Sequence, residues 1–330
     1  MLGNRKKATI SVLLLLALSA AGTAAAGGLG IPTSRAGLGL GNLPDFTGIR
    51  LNLSDRQVNR VSGINATFWI PRDNGEADYH GLNLGLVGPA GRELKGLSMG
   101  LVGVGAESIQ GLAFGGVGVG TQEMTGIAIG GIGVGAHDVT GLAAGLIGVG
   151  AHDVSGIAVG GLGVGAHDVT GVLIGGLGAG GHDMTGVMAG GMGIGGHDIT
   201  GLAVGGLGVG GHDLRGVFLG GLGVGGHSLQ GIGLALGGVG ADRISGIVTG
   251  AYLRGKQVKG VALGLGYLNA EESFTGLGTG AYTRAQNSTG LTIGIFNYAS
   301  NLQGIQLGLL NYAGNNPDGL KWLPGINAHF

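Results

Sequence analysis

Seven histidines, His137, His152, His167, His182, His197, His212 and His227, recur every fifteen residues, and the first six are each followed by aspartate, at Asp138, Asp153, Asp168, Asp183, Asp198 and Asp213. Imidazole nitrogen and carboxylate oxygen are both competent ligands for divalent metals, so a fold that stacks the repeats turns these residues into a candidate multivalent metal or ligand site. A competing reading is structural. An aspartate at a turn accepts backbone N–H groups and the histidine beside it fills the corner. The structural reading is preferred, because repetition copies any residue and a metal needs three or four ligands that converge. The calcium-binding nonapeptide pattern requires Gly-Gly-x-Gly-x-Asp. Here Gly160-Gly-Leu-Gly-Val is followed by Gly165, so that chemistry is not indicated.

Other motifs weaken when read in context. Gly96-Leu-Ser98-Met-Gly100 matches the spacing of a hydrolase nucleophile elbow, but glycine falls at both positions through the repeat and no strand-to-helix turn follows. Thr140, Ser155, Thr170, Thr185 and Thr200 form a one-column hydroxyl ladder that gives way to Arg215 and Gln230, which suits a turn better than an ice-binding plane. No convergent acid–base or nucleophile constellation is visible, so neither catalysis nor a cofactor is expected.

The residues that must position these ladders are mostly glycine. Glycine supplies 83 of 330 positions, with 44% hydrophobic, 11% charged and 5% aromatic residues. That inventory excludes a core of large side chains, and six prolines without a three-residue glycine period exclude collagen. A formal charge of −1 with no basic block beyond the N-terminus gives no footprint for nucleic acid. The absence of cysteine excludes disulfides and thiolate metal sites.

A glycine followed by Leu, Ile or Val begins a unit nineteen times between Gly48 and Gly319, always fifteen residues apart from Gly81 to Gly246. Such a period marks a repeat architecture whose units bury themselves against their neighbours. The unit Gly201–Arg215 divides into three fives. Leu202 and Val204 share one face of an extended segment, Leu207 and Val209 share a face of opposite parity, and the chain is expected to turn at Gly205 and Gly206. The reading is an all-β triangular solenoid with these pairs, and His212 with Leu214, pointing inward and Ala203 outward. Valine at Gly205 or Gly206 should then do more damage than Ala203→Val. Stacked coils about 4.8 Å apart would place the histidines in a half-buried column. The alternative is an antiparallel outer-membrane β-barrel, one strand and turn per unit. Against it, alternate barrel turns face different compartments, whereas every central unit carries the same His-Asp.

The less regular units, Gly81-Leu-Asn-Leu-Gly-Leu-Val, Gly290-Leu-Thr-Ile-Gly-Ile-Phe-Asn-Tyr and Gly304-Ile-Gln-Leu-Gly-Leu-Leu-Asn-Tyr, resemble the Gly-Leu-x-Leu-Gly-Leu-x-Asn repeat of bacterial surface repeat-containing proteins, over residues 48–330. That resemblance implies an exported envelope or surface protein and brings no catalytic residues. Export agrees with the N-terminus, where Arg5, Lys6 and Lys7 precede an apolar run from Ile10 to Leu18 and small residues reach Ala26. This is the layout of a cleaved secretory signal. Removing residues 1–26 leaves 14 Lys+Arg against 18 Asp+Glu, a net −4. The organisation expected is a signal over 1–26, an N-terminal cap or linker over 27–47, the repeat array over 48–318 and a C-terminal cap over 319–330. The function expected is a non-enzymatic structural or adhesive envelope role toward an unknown surface ligand or envelope component. Association with the outer membrane is a further possible partner relation.

Overall fold

The structure is a computed structural model that describes residues 27–330, so the expected export signal lies outside the described residues. Between Gly160 and Gly161 the chain divides into two compact units. Each is a β-solenoid, and the described residues contain strands and turns but no helix. In the first unit the strand Gly118–Gly130 runs parallel to Gly133–Gly145, with Gly126 opposite Gly141 and Ile127 opposite Leu142. In the second, Gly193–Gly205 pairs in the same way with Gly208–Gly220, matching Gly201 to Gly216 and Leu202 to Val217. Equivalent residues fifteen apart, running in one direction, can be neighbours only if the chain completes a full circuit between them. The antiparallel barrel is thereby overturned, because a meander reverses direction at every strand.

Each circuit has three changes of direction. One is the bend at Gly206 and Leu207. A second is a skip in the ladder, where pairing jumps from Gly196↔Gly211 to Asp198↔Asp213 and leaves His197 and His212 unpaired in the register. The third lies at the first glycine of the unit. All nineteen repeat-start glycines, Gly48 through Gly319, have a positive φ, for example +123° at Gly201 and +134° at Gly216. A Cβ on Gly201 would also lie 2.1 Å from the carbonyl oxygen of Gly186 in the neighbouring coil. Backbone angle and backbone approach together make glycine obligatory there. Gly205 and Gly206 do stand at a corner as expected, but for another reason: their Cβ atoms would meet the Gly208 and Gly191 carbonyl oxygens at 2.0 and 1.9 Å.

The inward face differs from the expected one. Ala203 is fully buried, whereas Val204 is 38% and Leu207 49% exposed. His212 also faces out, while Val209 and Leu214 face in as expected. Three columns fill the interior of the second unit: Leu173, Met188, Ala203 and Phe218; Ala179, Ile194, Val209 and Val224; and Met184, Ile199, Leu214 and Leu229. Phe218, the bulkiest of these, is opposite Gly233 in the next coil, so the ladder compensates volume across coils. The expected parity failed because Leu202, Ala203 and Val204 are all apolar, and an alternation without a polar member carries no sign. The narrow interior takes the position where size varies and leaves Leu202 and Val204 outside.

At the beginning of the array β1 (Gly28–Thr33) and β2 (Ala36–Gly41) form an antiparallel hairpin, and β2 then pairs in parallel with β3 (Asp45–Asn52). At the other end Trp322–His329 lies antiparallel to the segment running from Gly304 to Tyr312. Pro32 and Pro324 sit in these terminal strands, where a missing N–H is best tolerated.

Gly201→Ala should therefore destabilise the fold by ~1–3 kcal/mol or more, the range for a strained backbone position. Gly195→Ala should leave stability unchanged or raise it by ~0.4–1 kcal/mol through the unfolded state, since a Cβ at Gly195 meets nothing within 4 Å. Denaturant melts of the two variants give the comparison, and equal losses would remove the special status of the first glycine.

Candidate functional site

At the ladder skip each of the first six histidines lies beside its own aspartate, while backbone bonds such as His182 N–H to the His167 carbonyl oxygen at 2.8 Å still join the coils. In the first unit Nδ1 of His137 lies 2.8 Å from Oδ1 of Asp138, and Nδ1 of His152 lies 2.8 Å from Oδ1 of Asp153. In the second unit the distance widens along the chain: 2.9 Å for His167–Asp168, 3.0 Å for His182–Asp183, 3.2 Å for His197–Asp198 and 3.7 Å for His212–Asp213. His227, which has Ser228 where the others have aspartate, reaches instead to Asp242 of the following coil at 3.2 Å. In such a pair the imidazole donates from Nδ1 to the carboxylate oxygen, and at His227 the other ring nitrogen, Nε2, lies 3.2 Å from Nη2 of Arg243.

The rings stack as the spacing predicts. Centroids are 4.7 Å apart for His137 and His152, 5.0 Å for His167 and His182, and 4.8 Å for each of the three steps from His182 to His227. Interplanar angles are 1° and 0° for the first two of the second-unit steps and grow to 15° at His227. The columns are half-exposed: the His182 and Asp183 side chains are 50% and 56% exposed. The widening at His212 has a local cause. The Ser228 hydroxyl donates to Asp213 Oδ1 at 2.5 Å, and this bond holds the Asp213 carboxyl below the usual carboxylate range, with His212, Arg215 and His227 adding to it.

Three overlapping groups in the second unit bring two imidazoles and one carboxylate together: His167, Asp168 and His182; His182, Asp183 and His197; and His197, Asp198 and His212, with ligand atoms within 4.8 Å of one another in each. These are the candidate metal residues the structure assembles best.

Ser98 of the elbow-like motif is buried and receives a hydrogen bond from Asn83 Nδ2 at 3.4 Å, so it presents no nucleophile to solvent. The hydroxyl ladder from Thr140 to Thr200 is exposed beside the aspartates.

Two features were missed in the sequence. The first is a buried polar cluster in the N-terminal coils. Asp55 accepts hydrogen bonds from Arg50 at 2.5 Å, Asn52 at 2.7 Å, Asn65 at 3.3 Å, Thr67 at 2.8 Å and Tyr79 at 2.7 Å. Burial, and then the charge of Asp55, push the Tyr79 phenol well above its ordinary pKa. Arg50 and Asn65 occupy the position between two outward aliphatics, which is the interior position, so the signal was the polar residue inside Ile49-Arg-Leu and Ile64-Asn-Ala. The same logic buries the asparagines of the C-terminal units: Asn297 Nδ2 donates to Asn311 Oδ1 at 2.7 Å and Thr283 Oγ1 to Asn297 Oδ1 at 2.6 Å. The second feature is an external aromatic stack, Tyr252, Tyr267, Tyr282 and Phe296, with centroids 5.1, 5.3 and 5.2 Å apart. The fifteen-residue spacing of its tyrosines was its signal. An apolar groove of about 620 Å³ in the first unit is lined by Phe68, Leu84, Met99, Leu101, Phe114 and Ile129.

Comparison with protein-family models, curated proteins and solved structures finds no match to this chain.

Asp55→Ala should cost ~3–5 kcal/mol by leaving the Arg50 guanidinium buried without its counter-charge. Asp183→Ala should cost less than ~1 kcal/mol, as an exposed pair does. Urea melts of the two variants separate them, and similar losses would mean that the His-Asp column carries structural weight that its exposure does not account for.

Proposed function

We propose that the chain is a non-enzymatic structural or adhesive scaffold of the cell envelope, exported by its N-terminal segment. The observation that carries this reading is the presentation of identical side chains at single-coil spacing, as in the histidine rings 4.8–5.0 Å apart in the second unit. A backbone-locked array of this kind meets a repetitive surface at many equivalent points, and weak contacts add through avidity. The resemblance of the terminal units to bacterial surface repeats and the three-part N-terminus support the location. Expression of the full chain in a bacterium should yield an envelope or periplasmic product whose N-terminus is Gly27. A cytoplasmic product retaining Met1 would overturn the location.

A second reading follows from the three His-Asp-His groups. In it the ladder of the second unit is a divalent-metal binder. Zinc–nitrogen bonds of about 2.0–2.1 Å place two nitrogens on one ion at most ~4.2 Å apart, so stacked rings must lean together to share it. Their half-exposed side chains leave room to do so. Because neighbouring groups share a histidine, only alternate groups fill together: His167, Asp168 and His182 with one ion, His197, Asp198 and His212 with another. In a calorimetric Zn²⁺ titration of residues 27–330, His182→Gln and His212→Gln should each remove one bound ion, and the double variant both. An unchanged stoichiometry, or no binding by the parent chain, would overturn this reading.

A further inference from the structure

The outer surface formed by the second, fourth, sixth and seventh residues of each unit is apolar along the second solenoid unit. From Ile174 to Ile247, ten large aliphatic or methionine side chains are more than one third exposed, among them Leu177, Val187, Met192, Val204, Leu207 and Leu222. From Gly171 to Tyr252 these positions hold no charged residue. At roughly 80 Å² each, the ten present about 800 Å² of apolar surface. That exceeds the few hundred Å² usual on a monomer and equals one partner's share of a standard interface. The coil's charges lie elsewhere, in the aspartates and at Arg215 and Arg243 beyond the ladder skip.

We propose that this face is the contact between two copies of the chain. Three observations select a second copy over other occupants. The first is spacing: the side chains form ridges that repeat once per coil, at the 4.8 Å step of the stacked rings, and a partner with the same step meets every ridge in the same register. An unrelated protein would match a few ridges and lose the rest.

The second is relief. Beside the Leu177, Met192, Leu207 and Leu222 ridge runs a glycine column, Gly176, Gly191, Gly206 and Gly221, whose Cβ positions are blocked by the backbone of the adjacent coil at 1.8–2.0 Å. This column stays a groove, and a ridge of the same width and period fits it, as in the dry interfaces between identical β-sheets.

The third is charge. A membrane-surface face gains from a basic rim, but here glycine occupies the eighth and tenth positions, and residues 27–330 carry 14 Lys+Arg against 18 Asp+Glu. Nothing on this flank draws it to an anionic bilayer. The inference stands apart from the metal reading, since the histidines lie on another side of the coil.

The test is the solution mass of residues 27–330 by sedimentation velocity across a dilution series. The parent chain should sediment as a dimer that dissociates on dilution. Val204→Lys with Leu207→Lys, placing two charges in one ridge step, should weaken association by at least ~10-fold, the effect of burying unpaired charge at an interface. Thr200→Lys, on an exposed position near the aspartates, should leave it unchanged. Far-UV circular dichroism and melts of all three chains establish that the strands persist. If the double variant fails to fold, Leu177→Lys and Leu222→Lys, each at a bend, serve in its place. A parent chain that is monomeric throughout overturns the proposal, and so does association that survives the ridge substitutions or is lost equally with Thr200→Lys. Flotation of a monomeric parent chain with neutral phosphatidylcholine vesicles would also overturn it, in favour of a lipid-facing flank.

Discussion

Neighbouring coils approach closely at points where neither contributes a side chain. At the first residue of each unit the backbone takes a positive φ and passes so near the preceding coil that a Cβ on Gly186 or Gly201 would sit 2.0–2.1 Å from a carbonyl oxygen. The parallel ladder requires this approach, because the chain must return to the same azimuth after fifteen residues with its hydrogen-bonding groups aligned. A side chain there would lift the coil and break register on both flanking sides. Glycine entropy lost at these sites is offset by the hydrogen bonds that close placement permits. The composition of the whole chain follows from this constraint more than from any need for flexibility.

With the coil path fixed by backbone, the interior has little left to specify. It is a set of thin columns in which Ala203, Met188, Leu173 and Phe218 occupy equivalent positions, and large neighbours are balanced by small ones, as Phe218 is by Gly233. Polar groups enter the same columns at the two ends of the chain, where Arg50 and Asp55, or Asn297 and Asn311, satisfy one another. A buried polar cluster of this kind is costly unless complete, and Asp55 with five donors is complete.

The repeat, its period and the solenoid were legible because they rest on spacing, and spacing survives without knowledge of direction. The histidine stack was legible for the same reason. The inward face was not, since Leu202-Ala203-Val204 offers no polar residue to mark the outside. The nearest marker lay in the irregular units, where Arg50, Asn65 and Asn83 sit between outward aliphatics, and a polar residue in the interior is the opposite of what patterning leads one to expect. The Nδ1–carboxylate pairing of the ladder also lay beyond reach, because it depends on the one-residue skip in the register at His197 and His212.

Repetition inside one chain offers its own measure of constraint. Interior positions drift freely, from alanine to phenylalanine along a single column, because neighbours can compensate. The hydroxyl position drifts from threonine to Arg215 and Gln230. The first residue never departs from glycine across nineteen units, which the backbone explains. The second residue is Leu, Ile or Val in all nineteen, although it lies outside the core and Val187 there is 42% exposed. Neither the ladder nor the interior demands an aliphatic side chain at that place. β-branched and leucyl residues do favour strands, but threonine and tyrosine would serve as well on a wetted face. An outward position that drifts less than the core is therefore answering to something outside the coil, and the flank it builds is as much a part of the repeat's design as the glycine that precedes it.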